Sequence, residues 1–191
     1  WNDLREALVI DPGDEAGRLL QHIEDLNLQI VSVPLTHAHI DHIGALANLV
    51  DRYAAPVGLH AADATWAFTK QNQLPPFYNR VERETKIARS WLEGQIWEDA
   101  GLTYEILFTP GHTPGGVCFY FREHNLLISG DCLFVDSIGR TDLPGGNYPV
   151  LMRTLQRLLT LPDETRVLPG HGPETTIGRE RISNPFLRGI G

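Results

Sequence analysis

Residues 37–42 place three of the chain's eight histidines and one aspartate within six positions. The four candidate ligands are His37, His39, Asp41 and His42. Imidazole nitrogens and carboxylate oxygens are donors that zinc and related transition metals prefer in proteins. Mainly apolar residues at 30–35 precede the segment, and a helix-like pattern follows it. We therefore predict a metal-binding loop at the end of a strand.

Three later turns carry the same kind of side chain beside a glycine. Residues 109–116 read Thr-Pro-Gly-His-Thr-Pro-Gly-Gly, residues 129–131 read Ser-Gly-Asp, and residues 169–173 read Pro-Gly-His-Gly-Pro. Glycine next to a ligand lets the backbone approach a metal without a Cβ clash. Each turn follows a predicted strand, so we expect their donors, His112, Asp131 and His171, to meet the first loop at one edge of the sheets.

Seven donors are too many for one tetrahedral zinc ion but suit two ions that share a carboxylate. The predicted division is His37, His39 and His112 on one ion, Asp41, His42 and His171 on the other, and Asp131 bridging. Taken singly, His42 could be a helix cap and His171 a turn residue. A structural zinc site is disfavoured because such sites prefer closed, cysteine-rich shells.

Other titratable residues have weaker signals. Asp11 ends the first predicted strand, where a carboxylate could orient a ligating imidazole or simply form a turn. The remaining histidines lack the context of these motifs and are predicted to be structural: His22, His60 and His124. Cys118 and Cys132 are too few for a disulfide scaffold and are predicted to be buried free thiols.

Composition limits the classes of function. A chain of 191 residues with 42% hydrophobic and 21% charged residues is typical of one globular domain. Neither a membrane-spanning run nor a secretory leader is evident, which predicts a cytoplasmic protein without a membrane partner, although the true start could be missing before Trp1. The net charge of −8 disfavours nucleic acid. We expect a monomer or small homo-oligomer.

Hydrophobic periodicity predicts an α/β fold in a single domain, with strands and helices interleaved in two halves. Predicted strands cover residues 6–10, 29–35, 56–60, 103–108, 117–121, 126–129 and 166–168. Predicted helices cover residues 14–26, 42–53, 61–69, 147–160 and 178–183. Residues 70–100 fit neither period, and we predict an irregular, partly helical segment that could wall a pocket.

The motifs, taken together, resemble the metallo-β-lactamase superfamily. They are Thr-His-Ala-His-Ile-Asp-His at 36–42, Thr-Pro-Gly-His-Thr-Pro-Gly at 109–115, Gly-Asp at 130–131 and Pro-Gly-His-Gly at 169–172. Four separate motifs in the family's order, over nearly the whole chain, make the resemblance specific. It implies an αββα four-layer sandwich with a two-metal site at one edge of the sheets, and N-terminal strands missing before Trp1.

Within the superfamily the chain resembles the short, single-domain, glyoxalase II-like hydroxyacylglutathione hydrolases of bacteria. Asp131 stands where typical zinc β-lactamases have a cysteine ligand, which disfavours a lactamase. Gly-Arg-Thr-Asp at 139–142 and Asn-Pro-Phe-Leu at 184–187 also resemble these hydrolases. The resemblance implies two divalent metal ions, zinc first, with iron or manganese as alternatives.

The reaction implied by the resemblance is hydrolysis of a small-molecule thioester, S-D-lactoylglutathione or a related hydroxyacyl thioester, by a hydroxide that bridges the metals. Asp41 and Asp131 are then catalytic because they hold the nucleophile. Arg140 and Thr141 are predicted to contact the substrate, with Arg140 pairing a carboxylate such as those of glutathione. The alternative for Arg140 is a surface salt bridge.

Three other functions stay open. Persulfide dioxygenases of the same superfamily use one iron and share the Gly-Arg-Thr-Asp segment; their ligands here would be His37 or His39, His112 and Asp131. A non-catalytic scaffold or binding module would keep the metal site without turnover, although all seven donors are intact. A superfamily nuclease is disfavoured by the acidic charge.

Overall fold

The computed structural model describes residues 1–189. Residue contacts divide the chain into two compact units. The first unit contains residues 1–91 and 98–102, and the second contains residues 92–97 and the chain from residue 103 onward. Each unit is a β-sheet with helices packed against it. Among the described residues no helix is both long and apolar enough to cross a membrane.

The first unit is built on a sheet in the order β1-β2-β3-β4, in which all neighbouring strands run parallel. The strands are β1 (Glu6–Leu8), β2 (Gln29–Pro34), β3 (Val57–Leu59) and β4 (Ile87–Ser90). The helices are α1 (Ala16–Asp25), α2 (Ile40–Ile43), α3 (Leu46–Tyr53) and α4 (Ala61–Ala64), followed by a 3-10 turn at Lys70–Asn72. Because parallel strands need crossover connections, a helix between two strands is the expected arrangement.

The core of the first unit fixes the end of β2. Val33 is fully buried in β2, and Ile23 of α1 and Leu49 of α3 pack in the same cluster. Just beyond β2, the Leu35 amide donates to the Gly58 carbonyl at 2.9 Å. The Leu35 carbonyl accepts a hydrogen bond from Nε1 of Trp91 at 3.0 Å. The backbone is therefore fixed on both sides immediately before the histidine-rich loop begins.

Gly58 is required by this packing. A Cβ at position 58 would overlap the indole ring of Trp91, which is fully buried and tied to Leu35. We expect Gly58→Ala to lower the free energy of unfolding by about 1–3 kcal/mol, as overpacking of a core does, in urea denaturation. Gly17→Ala is the control, because a Cβ there meets nothing within 4 Å. Alanine should stabilise α1 at that position by up to about 1 kcal/mol. Equal stability changes in both variants would contradict this account.

The second unit contains most of a sheet in the order β12-β11-β8-β7-β6-β5, and a two-stranded sheet of β9 and β10. The strands are β5 (Ile96–Asp99), β6 (Leu102–Phe108), β7 (Val117–Phe121), β8 (Leu126–Gly130), β9 (Leu133–Phe134), β10 (Ser137–Ile138), β11 (Arg166–Pro169) and β12 (Thr175–Thr176). The helices are α5 (Tyr148–Leu158) and α6 (Ile177–Ser183). Strands β8 and β11 are parallel neighbours, so the turns that follow them lie at the same end of the sheet.

The core of the second unit contains both cysteines. Cys118 and Cys132 are buried and free, as predicted, and they pack with Leu151 and Leu155 of α5. A hydrogen bond with Cys118, reinforced by burial, raises the pKa of the Cys132 thiol. The Cys132 thiol therefore stays protonated, and both buried residues pack as small apolar side chains.

The observed elements differ from the predicted ones at a few places. The predicted helix at 42–53 is two helices, α2 and α3. The helix predicted at 61–69 is shorter than expected and ends with α4 at Ala64. Residues 70–100, predicted as irregular, contain β4 and β5 besides the short 3-10 turn. Strand β4 has few apolar residues, and a long-range ion pair from Arg89 to Asp99 at 2.6 Å accompanies its pairing with β3. The hydrophobic periodicity of residues 87–90 cannot predict this strand, because the ion pair and the pairing with β3 both involve residues outside it.

Candidate metal centre

The histidine-rich loop begins where β2 ends, in the first unit. His37, His39 and His42 are all at least 95% buried. The ring centroids of His37 and His42 are 4.1 Å apart, and those of His37 and His39 are 4.9 Å apart. Three imidazoles buried this close together have the spacing of a group of metal ligands. Imidazole is the commonest metal ligand in proteins, so the cluster is a candidate for binding a cation.

Asp11 fixes the orientation of two of these rings. Its Oδ1 accepts the Thr36 amide at 2.7 Å, and its Oδ2 accepts the Thr36 hydroxyl at 2.5 Å and Nδ1 of His42 at 2.9 Å. Because the Thr36 hydroxyl gives its proton to Asp11, its oxygen must accept from Nδ1 of His37, 3.0 Å away. Hydrogen bonds at Nδ1 make Nε2 the metal-binding nitrogen of both histidines.

Asp11 itself is better suited to orientation than to metal binding. One donor atom each of Asp11, His37 and His42 lies within 4.8 Å of the others, so proximity alone would allow a shared ion. Both oxygens of Asp11, however, already accept hydrogen bonds. The predicted orienting role thus has the contacts that it requires, and it stays a prediction.

Asp41 lies in the first turn of α2 and is partly exposed. The turn at Pro12 and Gly13 packs directly against this helix. The Ala45 amide donates to the Pro12 carbonyl at 2.9 Å, and a Cβ at Gly13 would overlap the carbonyl oxygen of Asp41. The predicted turn after the first strand therefore does more than reverse the chain, because it supports the helix that carries Asp41 and His42.

In the second unit, Asp131 lies between two histidines. Its Oδ2 is 3.6 Å from Nε2 of His112 and 3.6 Å from Nε2 of His171. Two ligands at about 2.1 Å from one zinc ion, at a tetrahedral angle, lie about 3.4 Å apart. Each histidine–aspartate pair therefore has the spacing of two ligands of one ion. A carboxylate oxygen shared by both pairs fits the predicted bridging position.

The turns that carry these three residues depend on local backbone features. Gly130, directly before Asp131, has a φ of +48°, and its carbonyl accepts the Gly170 amide at 2.9 Å. That bond joins the turn after β8 to the turn after β11. His112 is buried, whereas the side chain of His171 is 55% exposed. His171 is thus the most exposed side chain of this group of three.

The segment 139–142 contributes its backbone to this group of residues. Nδ1 of His112 donates to the carbonyl oxygen of Arg140 at 2.8 Å, which directs Nε2 towards Asp131. A Cβ at Gly139 would overlap the carbonyl oxygen of Asp131 and would lie 3.2 Å from Cβ of His112. Sequence reasoning missed this role, since a side-chain motif does not reveal the use of a main-chain carbonyl. Gly139 was the one sequence signal for this role, because a glycine can mark a place where the backbone packs closely against its neighbours.

The side chain of Arg140 makes the salt bridge that was the alternative prediction. Its Nε and one terminal nitrogen contact the Asp142 carboxylate at 2.7 and 2.6 Å. Arg140 also lines an open cleft of about 380 Å³ together with Asp131, His171 and the apolar side chain of Phe134. Thr141 is partly buried beside this segment. Substrate contact by Arg140 and Thr141 stays a prediction.

The Arg140–Asp142 pair allows a titration test. Hydrogen bonds from Arg140 hold the pKa of the Asp142 carboxyl at about 2, below its usual 3.8. The ion pair is thus complete above the usual pKa and is lost as the pH falls through about 2. Arg140→Met should return the Asp142 midpoint towards 3.8 in a carboxyl NMR titration. Asp136, whose pKa is lowered mainly by Arg179, should not change. An unchanged Asp142 midpoint would contradict this assignment.

Helix α6 and the residue after it hold the wall of the cleft. The Asn184 side chain donates to the Ser137 carbonyl at 3.0 Å, and the Glu180 carboxylate accepts the Asp136 amide at 2.8 Å. Asn184 and Glu180 are both fully buried. Since these bonds fix the hairpin of β9 and β10, the Asn-Pro-Phe-Leu segment shapes the cleft beside Asp131.

The family model for the metallo-beta-lactamase superfamily matches residues 2–171 of this chain. The chain belongs to the metallo-β-lactamase superfamily. It is 42% identical over 187 residues to the probable metallo-hydrolase YqgX of Bacillus subtilis, covering 97% of this chain and 89% of that protein. It is 38% identical over 190 residues to the hydroxyacylglutathione hydrolase GloC of Haemophilus influenzae, covering 98% and 90%.

Solved structures of superfamily members confirm the predicted α/β fold. BLEG-1, described as a B3 metallo-beta-lactamase, has a TM-score of 0.91 at 37% identity, with 99% of this chain and 92% of that chain covered. TTHA1623 in a di-iron-bound form has a TM-score of 0.83 at 42% identity, covering 93% and 88%. ETHE1 from Myxococcus xanthus has a TM-score of 0.77 at 32% identity, covering 96% and 74%. The donor residues and the di-iron relative support a two-metal site in a metallo-hydrolase superfamily member.

Proposed function

We propose that this protein is a dinuclear-metal hydrolase of hydroxyacyl thioesters, with S-D-lactoylglutathione as its reference substrate. The observation that carries the proposal is the position of Asp131, whose Oδ2 is 3.6 Å from an imidazole nitrogen on either side. Each distance is that of two ligands on one ion, so the oxygen common to both pairs would be able to serve two ions. The thioester class is supported by 38% identity to a hydroxyacylglutathione hydrolase over 90% of its length.

The metal ligands are assigned as the family resemblance implies. His37, His39 and His112 would hold one ion, Asp41, His42 and His171 would hold the other, and Asp131 would be shared between them. Two divalent ions held there would lower the pKa of a water molecule to near 7 and would polarise a substrate carbonyl. Zinc is the first candidate, and the di-iron-bound relative makes iron the second.

The chain's own residues hold and orient these donors. Asp11 and Thr36 keep the Nδ1 protons of His42 and His37 in hydrogen bonds, and the Arg140 carbonyl does the same for His112. The lone pairs at Nε2 thus stay available for a cation. A thiolate leaving group, whose conjugate thiol has a pKa of about 8.5, needs no general acid.

Two other reactions have a specific observation in their favour. Similarity to ETHE1 supports the persulfide dioxygenase alternative, in which one iron is held by three of the same donors. Similarity to BLEG-1 supports β-lactam hydrolysis as a further activity to measure, although Asp131 is not the cysteine that typical zinc β-lactamases carry.

A substrate panel tests the proposal. The purified, metal-loaded protein is assayed for S-D-lactoylglutathione hydrolysis, for oxygen uptake with glutathione persulfide and for β-lactam hydrolysis. We expect thioester cleavage that releases one thiol per carboxylic acid without consuming oxygen. His124→Ala, in the turn after β7, is the control because this residue lies outside the donor set. Oxygen uptake without thioesterase activity would establish the dioxygenase instead.

A further inference from the structure

The peptide groups of Ala38 are held on both sides by residues outside the metal motifs. Ala38 lies between His37 and His39 and is fully buried. Its amide donates to Oδ2 of Asp63 at 3.1 Å, and its carbonyl accepts Nδ2 of Asn72 at 2.7 Å. Asp63 and Asn72 are 25 and 34 residues further along the chain. We propose that Asp63 and Asn72 are positioning residues that fix the directions in which His37 and His39 present their rings.

Asn72 is itself fixed in one orientation. Its Nδ2 donates to the carbonyl of Ala67 at 2.7 Å as well as to that of Ala38. Two carbonyl acceptors require the nitrogen, and not the oxygen, of the amide on this side. The backbone N–H of Asn72 donates to the Thr69 carbonyl at 3.1 Å, at the start of the 3-10 turn. The residue is 97% buried. Asn72 is therefore a rigid anchor.

Asp63 is anchored with comparable rigidity. It is fully buried in α4, and its amide donates to the His60 carbonyl at 3.1 Å. The His60 side chain in turn accepts the Ala62 amide at 3.2 Å and caps this helix. The Asp63 carboxylate that accepts the Ala38 N–H is therefore held in place by α4. Its position restrains the position of the Ala38 peptide.

The bonds from Ala38 to Asp63 and Asn72 matter because the loop that contains Ala38 has no regular secondary structure. Residues 35–39 lie between the end of β2 and the start of α2, so no strand or helix ladder holds the Ala38 peptides. Rotation about the Ala38 backbone would turn the His37 and His39 side chains relative to each other. Partners bonded directly to a metal ligand cost about 10–100-fold in metal affinity when removed, and Asp63 and Asn72 act one step further away, through the Ala38 peptide. The segment 60–72 is thus tied to the proposed site without supplying a ligand.

This inference rests on the proposed metal site, and zinc binding by the full chain tests it. Apparent zinc affinity is measured by competition with a chromophoric chelator, and cobalt-substituted protein gives an absorption spectrum of the site. We expect Asn72→Ala and Asp63→Ala to weaken zinc binding by about 10-fold, the lower end of that range, and to shift the cobalt spectrum. Asp63→Asn keeps an oxygen that can accept the Ala38 amide, so its loss should be smaller than that of Asp63→Ala.

Asp99→Asn is the matched control for a general loss of stability. Asp99 is also a buried carboxylate of the first unit, but it pairs with Arg89. This variant should unfold at a lower temperature while keeping its zinc affinity. Folded Asn72→Ala protein with the original zinc affinity and cobalt spectrum would overturn the positioning role, even if Asp63→Ala does not fold. An unsubstituted chain that binds no zinc would instead overturn the proposed function.

Discussion

Replacing Asp131 by alanine should lower kcat/KM for thioester hydrolysis by more than about 100-fold. Substitutions of residues that only support metal ligands already cost 10–100-fold, and Asp131 is assigned as a direct ligand. Its Oδ2 lies 3.6 Å from both His112 and His171, so both histidine–carboxylate pairs lose their common oxygen together. Metal content should fall with activity, because the bridging charge is removed from both ions at once.

Asparagine at the same position separates shape from charge. Asp131→Asn keeps the side-chain volume but offers a neutral oxygen, so we expect an intermediate loss in both metal content and kcat/KM. Asp163→Asn is the matched control, since Asp163 is an exposed carboxylate of the same unit that pairs with Arg181. Steady-state kinetics and metal analysis of the three variants check this order. Wild-type turnover in Asp131→Ala would refute the bridging assignment.

Gly139→Ala should lower kcat/KM by about 100-fold without removing any donor atom. The added Cβ would overlap the Asp131 carbonyl oxygen and crowd Cβ of His112. Relief of that overlap needs a shift on the order of 1 Å, and misplacement of this size can cost 10²-fold in rate. The shift also strains the hydrogen bond from His112 to the Arg140 carbonyl, now 2.8 Å long.

The Gly17→Ala variant is again the control, because a Cβ there meets no neighbour. Circular dichroism distinguishes local displacement from unfolding, and kcat/KM reports the displacement itself. Unchanged kinetics in folded Gly139→Ala protein would mean that the backbone of residues 139–142 does not position His112 and Asp131.

Much of the site was predictable because its donors follow strands. His37, Asp131 and His171 come after β2, β8 and β11, and turn residues mark each boundary. The alternation of strands and helices similarly predicted the α/β class that the superfamily members confirm. These signals lie within short stretches of sequence, so they can be recognised without knowledge of the fold.

The supporting interactions were not predictable, because they depend on distant parts of the chain. The Arg140 side chain suggested substrate binding, yet its carbonyl is the atom that contacts His112. Asp63 and Asn72 have no motif, and only the fold brings them to Ala38. Similarly, the Trp91 ring, which follows β4, packs against Gly58 of β3, and these two residues are far apart in sequence.

The central claim, a thioester hydrolase that needs two metal ions, is tested most directly by zinc titration of the metal-free protein. S-D-lactoylglutathione hydrolysis is measured after each addition. We expect activity to reach its maximum at two equivalents of zinc per chain, because the assigned ligands form two sites joined by Asp131. Full activity at one equivalent, or activity that requires iron and consumes oxygen on glutathione persulfide, would contradict the account.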